Sequence, residues 1–468
     1  MLYFRLRQFV RTKTDVIMRS VLKNSGWVMC AQATNAFAMF GETLILARFL
    51  GVEKFGVFIL LMSVADLVFG LLDFRTGEAV TKFLPEFKRK HGIGGVSEFL
   101  LLIFVIDSIV AGLGLLVIFL LAWAPPTILS LPSGYTWPLM ILGMGGAGKA
   151  LVRSVGSYLR VSNAFPLATM LGIAATLFRL LTVAITLIIV PDIFTASIAV
   201  AMGEFVFFLL LGTAAIVSFR KHGIQPLTAK PRFLKNQHKS VVAFLFNTNL
   251  ASTVRILSTK LDVFILAALS SPAVVALYKV ASRLAGTVLL FSDPMISAFY
   301  PEISKLHAAN ALSSLRRVLR TLTSILAFFA LLTITVFILT GKWLLVNFIG
   351  QEFVEAYPSM LIMLIGTAFS MIFFWVRPLL LVYSQTGKLL TIAVISLIVQ
   401  LISLFLFVPQ LGGQGAAFAF MLSYLITPAL SIYVLKRYEQ SRQMAIHAAK
   451  VSNSYRMKPE MLKNAVES

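Results

Sequence analysis

The chain has 468 residues, of which 58% are hydrophobic and 13% charged, and its mean hydropathy is +0.89. Soluble domains carry about 25% charged residues, so this composition excludes a soluble globule and a disordered chain alike. Lysine and arginine number 41 against 19 acids, a net charge of +22. In a soluble protein that balance points to nucleic acid; in one this apolar it requires another explanation.

The chain opens with Arg5, Arg7, Arg11, Lys13, Arg19 and Lys23 spread among apolar residues. That spacing does not suit a secretory signal, which needs an unbroken apolar stretch after a short basic start. Residues 1–24 read either as an amphipathic basic segment on an anionic membrane surface or as a solvated basic tail. Cys30 is the single cysteine, which rules out an intrachain disulfide or a thiolate metal cluster.

A membrane-crossing helix needs about 20 mostly apolar residues. Such stretches are expected near 25–49, 56–82, 98–122, 136–160, 166–190, 194–219, 240–269, 273–300, 318–340, 354–384, 389–409 and 414–435. The fold class expected is an all-α integral membrane protein of about 12 transmembrane helices. Its predicted parts are the N-terminal segment 1–24, a six-helix lobe 25–219, a basic linker 220–239, a second six-helix lobe 240–436 and a basic tail 437–468.

Orientation follows from lysine and arginine in the connections. Even-numbered connections and both tails carry 29 of the 41 basic residues, and odd-numbered connections carry only Arg48, Lys54 and Lys342. The basic face is predicted to be cytoplasmic, with both termini on it. Most of the excess charge is thereby assigned to topology, with membrane lipids rather than nucleic acid as its partner.

The second half echoes the first. Glu42 to Ala47 aligns with Asp262 to Ala267 at an offset of 220 residues, which also sets Phe58 on Tyr278 and Asp73 on Asp293. Copies of six spans, an even number, run the same way through the membrane. They predict two lobes related by a parallel repeat around a central cavity.

Seventeen charged residues fall within expected spans. Each costs about 2.5–3.5 kcal/mol at a helix centre unless it is paired or hydrated. Lys279 and Arg283 are four apart and share a helix face; like charges so placed repel unless something anionic sits between them. Arg255 and Asp262 share a face of span 7, and Lys149, Arg153 and Arg160 form a stripe on span 4. Arg255, Lys279 and Arg283 read either as lining of an anion-binding cavity or as interhelical pairing partners. Glu42, Asp66 and Asp262 are candidates for coupling a proton or sodium ion. Arg179 and Arg377 read as helix-end anchors, Asp107 and Glu204 as structural, and Asp73, Arg75 and Glu78 as satisfying each other. No phosphate-binding loop or metal-ligand spacing appears, so no enzyme, cofactor or metal is predicted.

Three stretches carry a resemblance. They are LARFLGVEKFGVFILLMSVADLVFGLLDFRTGEAVTKFL at 46–84, YLRVSNAF at 158–165 and ALYKVASRLAGTVLLFSDPMISAFYPEISKL at 276–306. Together they resemble bacterial polysaccharide-transporter flippases of the multidrug/oligosaccharidyl-lipid/polysaccharide exporter superfamily. The resemblance implies two six-helix lobes around a cationic cavity. It also implies movement of a lipid-linked oligosaccharide from the inner to the outer leaflet of a bacterial inner membrane. The partners implied are that lipid and polysaccharide polymerase or ligase machinery. Phosphate binding would fall on Arg255, Lys279 and Arg283, with Lys149 and Arg153 as further contacts. The alternative within the superfamily is a cation-coupled multidrug or metabolite antiporter. Members with a basic first span differ from this chain, which has Glu42 and no basic residue between Lys23 and Arg48.

Overall fold

The computed structural model describes residues 2–124, 134–162, 164–229, 238–291, 303, 312–383 and 385–464. Side chains before 30 and after 440, and those of 238–240, 247–248, 250–252, 255, 290–291, 312 and 386, lie outside the description. The basic character expected of 1–24, and Arg255 itself, therefore fall outside it. So do residues 230–237 of the expected linker.

No strand occurs among the described residues. The helices are α1 (Leu2–Leu71), α2 (Thr76–Ala122), α3 (Thr136–Val161), α4 (Phe165–Ile189), α5 (Ile193–His222) and α6 (His238–Leu269). They continue as α7 (Pro272–Gly286), α8 (Leu312–Leu344), α9 (Ala356–Ile372), α10 (Val376–Val382), α11 (Thr386–Leu411) and α12 (Gly413–Asn464). Among the described residues eight stretches are long and apolar enough to cross a membrane; the first, Cys30–Ala122, contains two glycine kinks besides the turn at 72–75. One is Gly51, at φ 71° and ψ 174°, and the other is Gly92, at φ 61° and ψ −149°. Side chains are disfavoured at such angles, so glycine permits the kink after Leu50.

The second span was expected to reach residue 82, but α1 ends at Leu71. Asp73 Oδ1 accepts the Arg75 N–H at 2.9 Å, and Arg75 takes a left-handed conformation, φ 54°. A short acid that bonds the backbone two residues on competes with the helix ladder, and apolar pattern alone does not register it. The eighth span is expected over 273–300; α7 tightens after Gly286 into a 3₁₀ turn, Thr287–Phe291, and residues 292–300 lie outside the described residues.

Packing divides the helices into two groups. α2 packs on α3, α3 and α4 on α5, and α1 on α4; later in the chain α11 packs on α12, and α9 on α7, α8 and α12. The groups meet chiefly where α1 packs on α7 and α6. The offset of 220 reappears in the backbone. The break at Gly51 corresponds to the N-cap Ser271 between α6 and α7.

One buried apolar cluster runs through both groups, from Leu46 and Phe55 to Leu364 and Ala417. Toward the basic face, one cluster forms around Phe87, Phe99 and Tyr158 and takes in Val241 and Leu245 of α6, and another forms around Leu379, Tyr383 and Leu435.

The outer surface is apolar, with Leu120, Ile188, Phe328, Leu339 and Phe405 all exposed. Such an area of bare hydrocarbon is stable only against lipid. Trp123, Trp137 and Trp343 are 68%, 64% and 58% exposed and sit at helix ends opposite the basic face. That is the position of the aromatic belt at a membrane–water interface.

Candidate functional site

A cavity of about 310 Å³ lies between the two groups. Its charged lining is Glu42, Asp66, Arg179, Lys260, Lys279 and Arg283, joined by Thr43, Ser63 and Thr259. A smaller hollow of about 130 Å³ adjoins it and shares Lys279 and Arg283.

α7 delivers those two cations. The Ser271 hydroxyl caps its start by accepting the Val274 N–H at 3.4 Å, and Pro272 occupies the first turn. Val275, Ala276, Tyr278 and Ala281 bury one face. The spacing of four then sets Lys279 and Arg283 together on the cavity side.

The acids of the cavity are paired. Arg179 Nη2 lies 2.6 Å from Glu42 Oε1, and Arg179 Nη1 lies 2.6 Å from Glu204 Oε1. Lys149 approaches Glu204 at 3.6 Å from the same side. Lys260 Nζ lies 2.6 Å from Asp66 Oδ2, joining the two groups across the cavity. Arg283 Nε donates to Thr43 Oγ1 at 3.3 Å. Among the described residues no carboxylate stands within ion-pair distance of Lys279 or Arg283. Four cations face two acids on the lining, so the cavity carries surplus positive charge next to these two residues.

The cavity is bounded at both ends. Opposite the basic face, Arg48 Nη1 donates to the carbonyls of Asn347 at 2.9 Å and Phe348 at 3.3 Å, and Glu352 Oε2 accepts the Val52 N–H at 3.3 Å. A Cβ added at Gly56 would meet the Pro272 carbonyl oxygen at 1.8 Å, so only glycine allows α1 and α7 to approach this closely. Toward the basic face, Asn249 Nδ2 donates to the carbonyls of Leu71 at 3.0 Å and Asp73 at 2.9 Å.

The structure brings Glu42, Asp66, Lys279 and Arg283 to one cavity. Lys149 stands beside it through Glu204. Arg153 lies elsewhere, paired with Asp73 at the end of α1. Asp262 does not line the cavity; it is buried and accepts hydrogen bonds from the Tyr278 hydroxyl and the Val263 N–H. The Arg255 side chain lies outside the described residues.

Arg179 departs from expectation. It is not a helix-end anchor but holds two largely buried acids, Glu42 and Glu204, at mid-helix. A signal was present: Arg179 stands roughly 15 Å of helix short of Ile189, too far to reach the interface. Lys260 carries no local signal of its role, because its partner Asp66 is 194 residues away. Asp107 accepts from Thr76 and Ser154 in a buried network, as expected of a structural acid. Arg75 pairs with Asp73 and Glu78, also as expected.

Three solved structures share this architecture. An inward-facing multidrug resistance MATE family transporter of the MOP superfamily superposes with a TM-score of 0.70 at 14% identity, over 87% of this chain and 95% of its own. The lipid II flippase MurJ, in an inward closed conformation, superposes with a TM-score of 0.67 at 16% identity, over 89% and 87%. A MOP superfamily transporter from Pyrococcus furiosus, described as having a binding pocket of reverse polarity, gives 0.60 at 13%, over 90% and 95%. No curated protein sequence matches the chain. The fold is therefore that of the MOP superfamily transporters, in a multi-pass integral membrane protein. Residues 21–307 match the polysaccharide biosynthesis protein family, and the chain belongs to that family.

Proposed function

We propose that the protein is a flippase that carries a polyprenyl-pyrophosphate-linked oligosaccharide from the inner to the outer leaflet of a bacterial inner membrane, for surface polysaccharide synthesis. Twelve spans form two six-helix lobes related by the 220-residue repeat, and both termini are cytoplasmic. The observation that carries the reading is the pair Lys279 and Arg283, facing the cavity with no carboxylate within ion-pair distance among the described residues while both cavity acids are already paired.

A pyrophosphate and its sugars are too polar to enter hydrocarbon alone. The cationic lining receives the phosphates, with Arg283 suited to bidentate contact. The lipid tail stays in the bilayer, through a gap that opens between the lobes. Rocking about the shared core then exposes the cavity to the other side. Export of an anion is favoured by an inside-negative potential, at about 2.3 kcal/mol per charge per 100 mV. At about 310 Å³ the cavity has room for phosphates rather than for a long glycan, so the lobes separate to admit the sugars. Polysaccharide polymerase or ligase machinery receives the product.

Glu42 and Asp66 on the same lining support a second reading, an antiporter that moves a drug or metabolite against protons or sodium ions. Complementation separates the two. In a strain dependent on this gene for surface polysaccharide, the flippase reading expects Lys279→Ala with Arg283→Ala to abolish the polysaccharide. Unchanged polysaccharide together with loss of drug resistance favours the antiporter.

A further inference from the structure

A second cationic hollow, of about 380 Å³, opens on the basic face at the junction of α1, α2 and α3, apart from the central cavity. Arg75, Lys82, Arg153 and Arg160 converge on it, and Glu78 is its one lining acid. Arg75 is held in a left-handed conformation at its edge, with its N–H bonded to Asp73. A non-glycine residue kept at positive φ is held there by its surroundings and clusters at functional sites. Arg153 is fixed from below by Asp73. Among the described residues neither Lys82 nor Arg160 has a carboxylate within ion-pair distance. Lys82 rests over the rings of Phe83 and Phe244, at 5.0 and 4.3 Å from their centres.

Charges that merely mark the cytoplasmic side have no reason to share a concavity, since like charges repel. Four cations drawn from two helices do share this one. Arg160 also lines an adjoining hollow of about 330 Å³ with Gln32, Asn35, Thr169 and Thr176, whose amides and hydroxyls suit a hydroxylated substituent.

We propose that this hollow is a phosphate-binding site on the cytoplasmic face, distinct from the central cavity, that takes a phosphate bearing a polar substituent: a lipid headgroup or a free phosphate ester. Lys82 and Arg160 are its free ligands, and Arg75 and Arg153 are its positioned ones. Asp73 joins it to the lobe contact, because the Asp73 carbonyl accepts from Asn249 of α6.

The test uses the full chain carrying Lys279→Ala and Arg283→Ala, so that the central cavity contributes no phosphate site. Binding of inorganic pyrophosphate is measured by equilibrium dialysis in phosphatidylcholine nanodiscs. Retention of phosphatidylglycerol from mixed nanodiscs is measured by native mass spectrometry. Adding Lys82→Gln and Arg160→Gln, both exposed and without carboxylate partners among the described residues, is expected to weaken one of the two about tenfold. Loss of pyrophosphate binding identifies a free phosphate as the ligand, and loss of phosphatidylglycerol identifies a headgroup. Absence of both ligands before the added changes, or no effect of the changes on either, overturns the proposal.

Discussion

Lys260 reaches across the cavity to Asp66, 2.6 Å away, and this ion pair ties α6 to the second half of α1. Asp66 keeps much of its surface exposed, so solvent screens the attraction and the pair is worth about 0.5–1 kcal/mol. A thermal-unfolding double-mutant cycle of Asp66→Asn and Lys260→Gln is expected to return a coupling of that size. A coupling near zero would mean that the contact does not bind the lobes.

Arg179 is under a stricter constraint. It is the common partner of Glu42 and Glu204, and all three side chains are largely buried. Removing one member of a buried ion set strands the others, at about 3–5 kcal/mol. Arg179→Ala is expected to lower the melting temperature sharply in detergent. Adding Glu42→Gln and Glu204→Gln is expected to recover part of the loss, because the stranded charges are gone. Failure of the triple variant to recover any stability would contradict this.

The contacts opposite the basic face form a latch. Arg48 holds two carbonyls at the end of the π-helical turn 345–349, and Glu352 holds the Val52 N–H. Arg48→Ala with Glu352→Ala is expected to raise outward exposure of the cavity. In a Cys30→Ser background, Ser63→Cys on the lining reports this as several-fold faster labelling by an impermeant maleimide added outside. Equal labelling rates would show that the latch does not control access.

Gly56 tests the close approach of α1 and α7. A Cβ there would sit 1.8 Å from a backbone oxygen of Pro272, which no rotamer change relieves. Gly56→Ala is expected to reduce the folded yield severely or to force the lobes apart, as read by size-exclusion chromatography and the same labelling assay. A fully folded variant with unchanged labelling would refute the packing.

Tyr278 and Asp262 explain one asymmetry between the repeats. Phe58 and Glu42 occupy the corresponding positions, and Phe58 has no hydroxyl to offer. Asp262 therefore finds its partner on the neighbouring α7, whereas Glu42 takes Arg179. Tyr278→Phe removes one hydrogen bond from a buried acid and is expected to cost about 1–3 kcal/mol, measured by unfolding. An unchanged melting temperature would indicate that Asp262 finds another donor.

These relationships mark how far the amino-acid sequence could be read. Long apolar stretches carry their own signal, since the bilayer demands length and self-satisfied backbone. The spacing of four between Lys279 and Arg283 is likewise local and survives into the cavity. The end of α1 is not legible in hydropathy, because it is set by one aspartate, Asp73, bonding the backbone two residues on. The partners of Arg179 and Lys260 were beyond reach because Glu42 and Asp66 are 137 and 194 residues away. Pairing at that range is set by how the helices assemble, and the offset of 220 constrains the assembly without naming the pairs.

The central claim is that Lys279 and Arg283 receive the phosphates of a lipid-linked glycan. Its most direct test is a reconstituted flipping assay in proteoliposomes, with a polyprenyl-pyrophosphate oligosaccharide as substrate. Lys279→Ala with Arg283→Ala is expected to lower the flipping rate at least tenfold, while the melting temperature stays near that of the unaltered protein. Undiminished flipping by the folded double variant would contradict it.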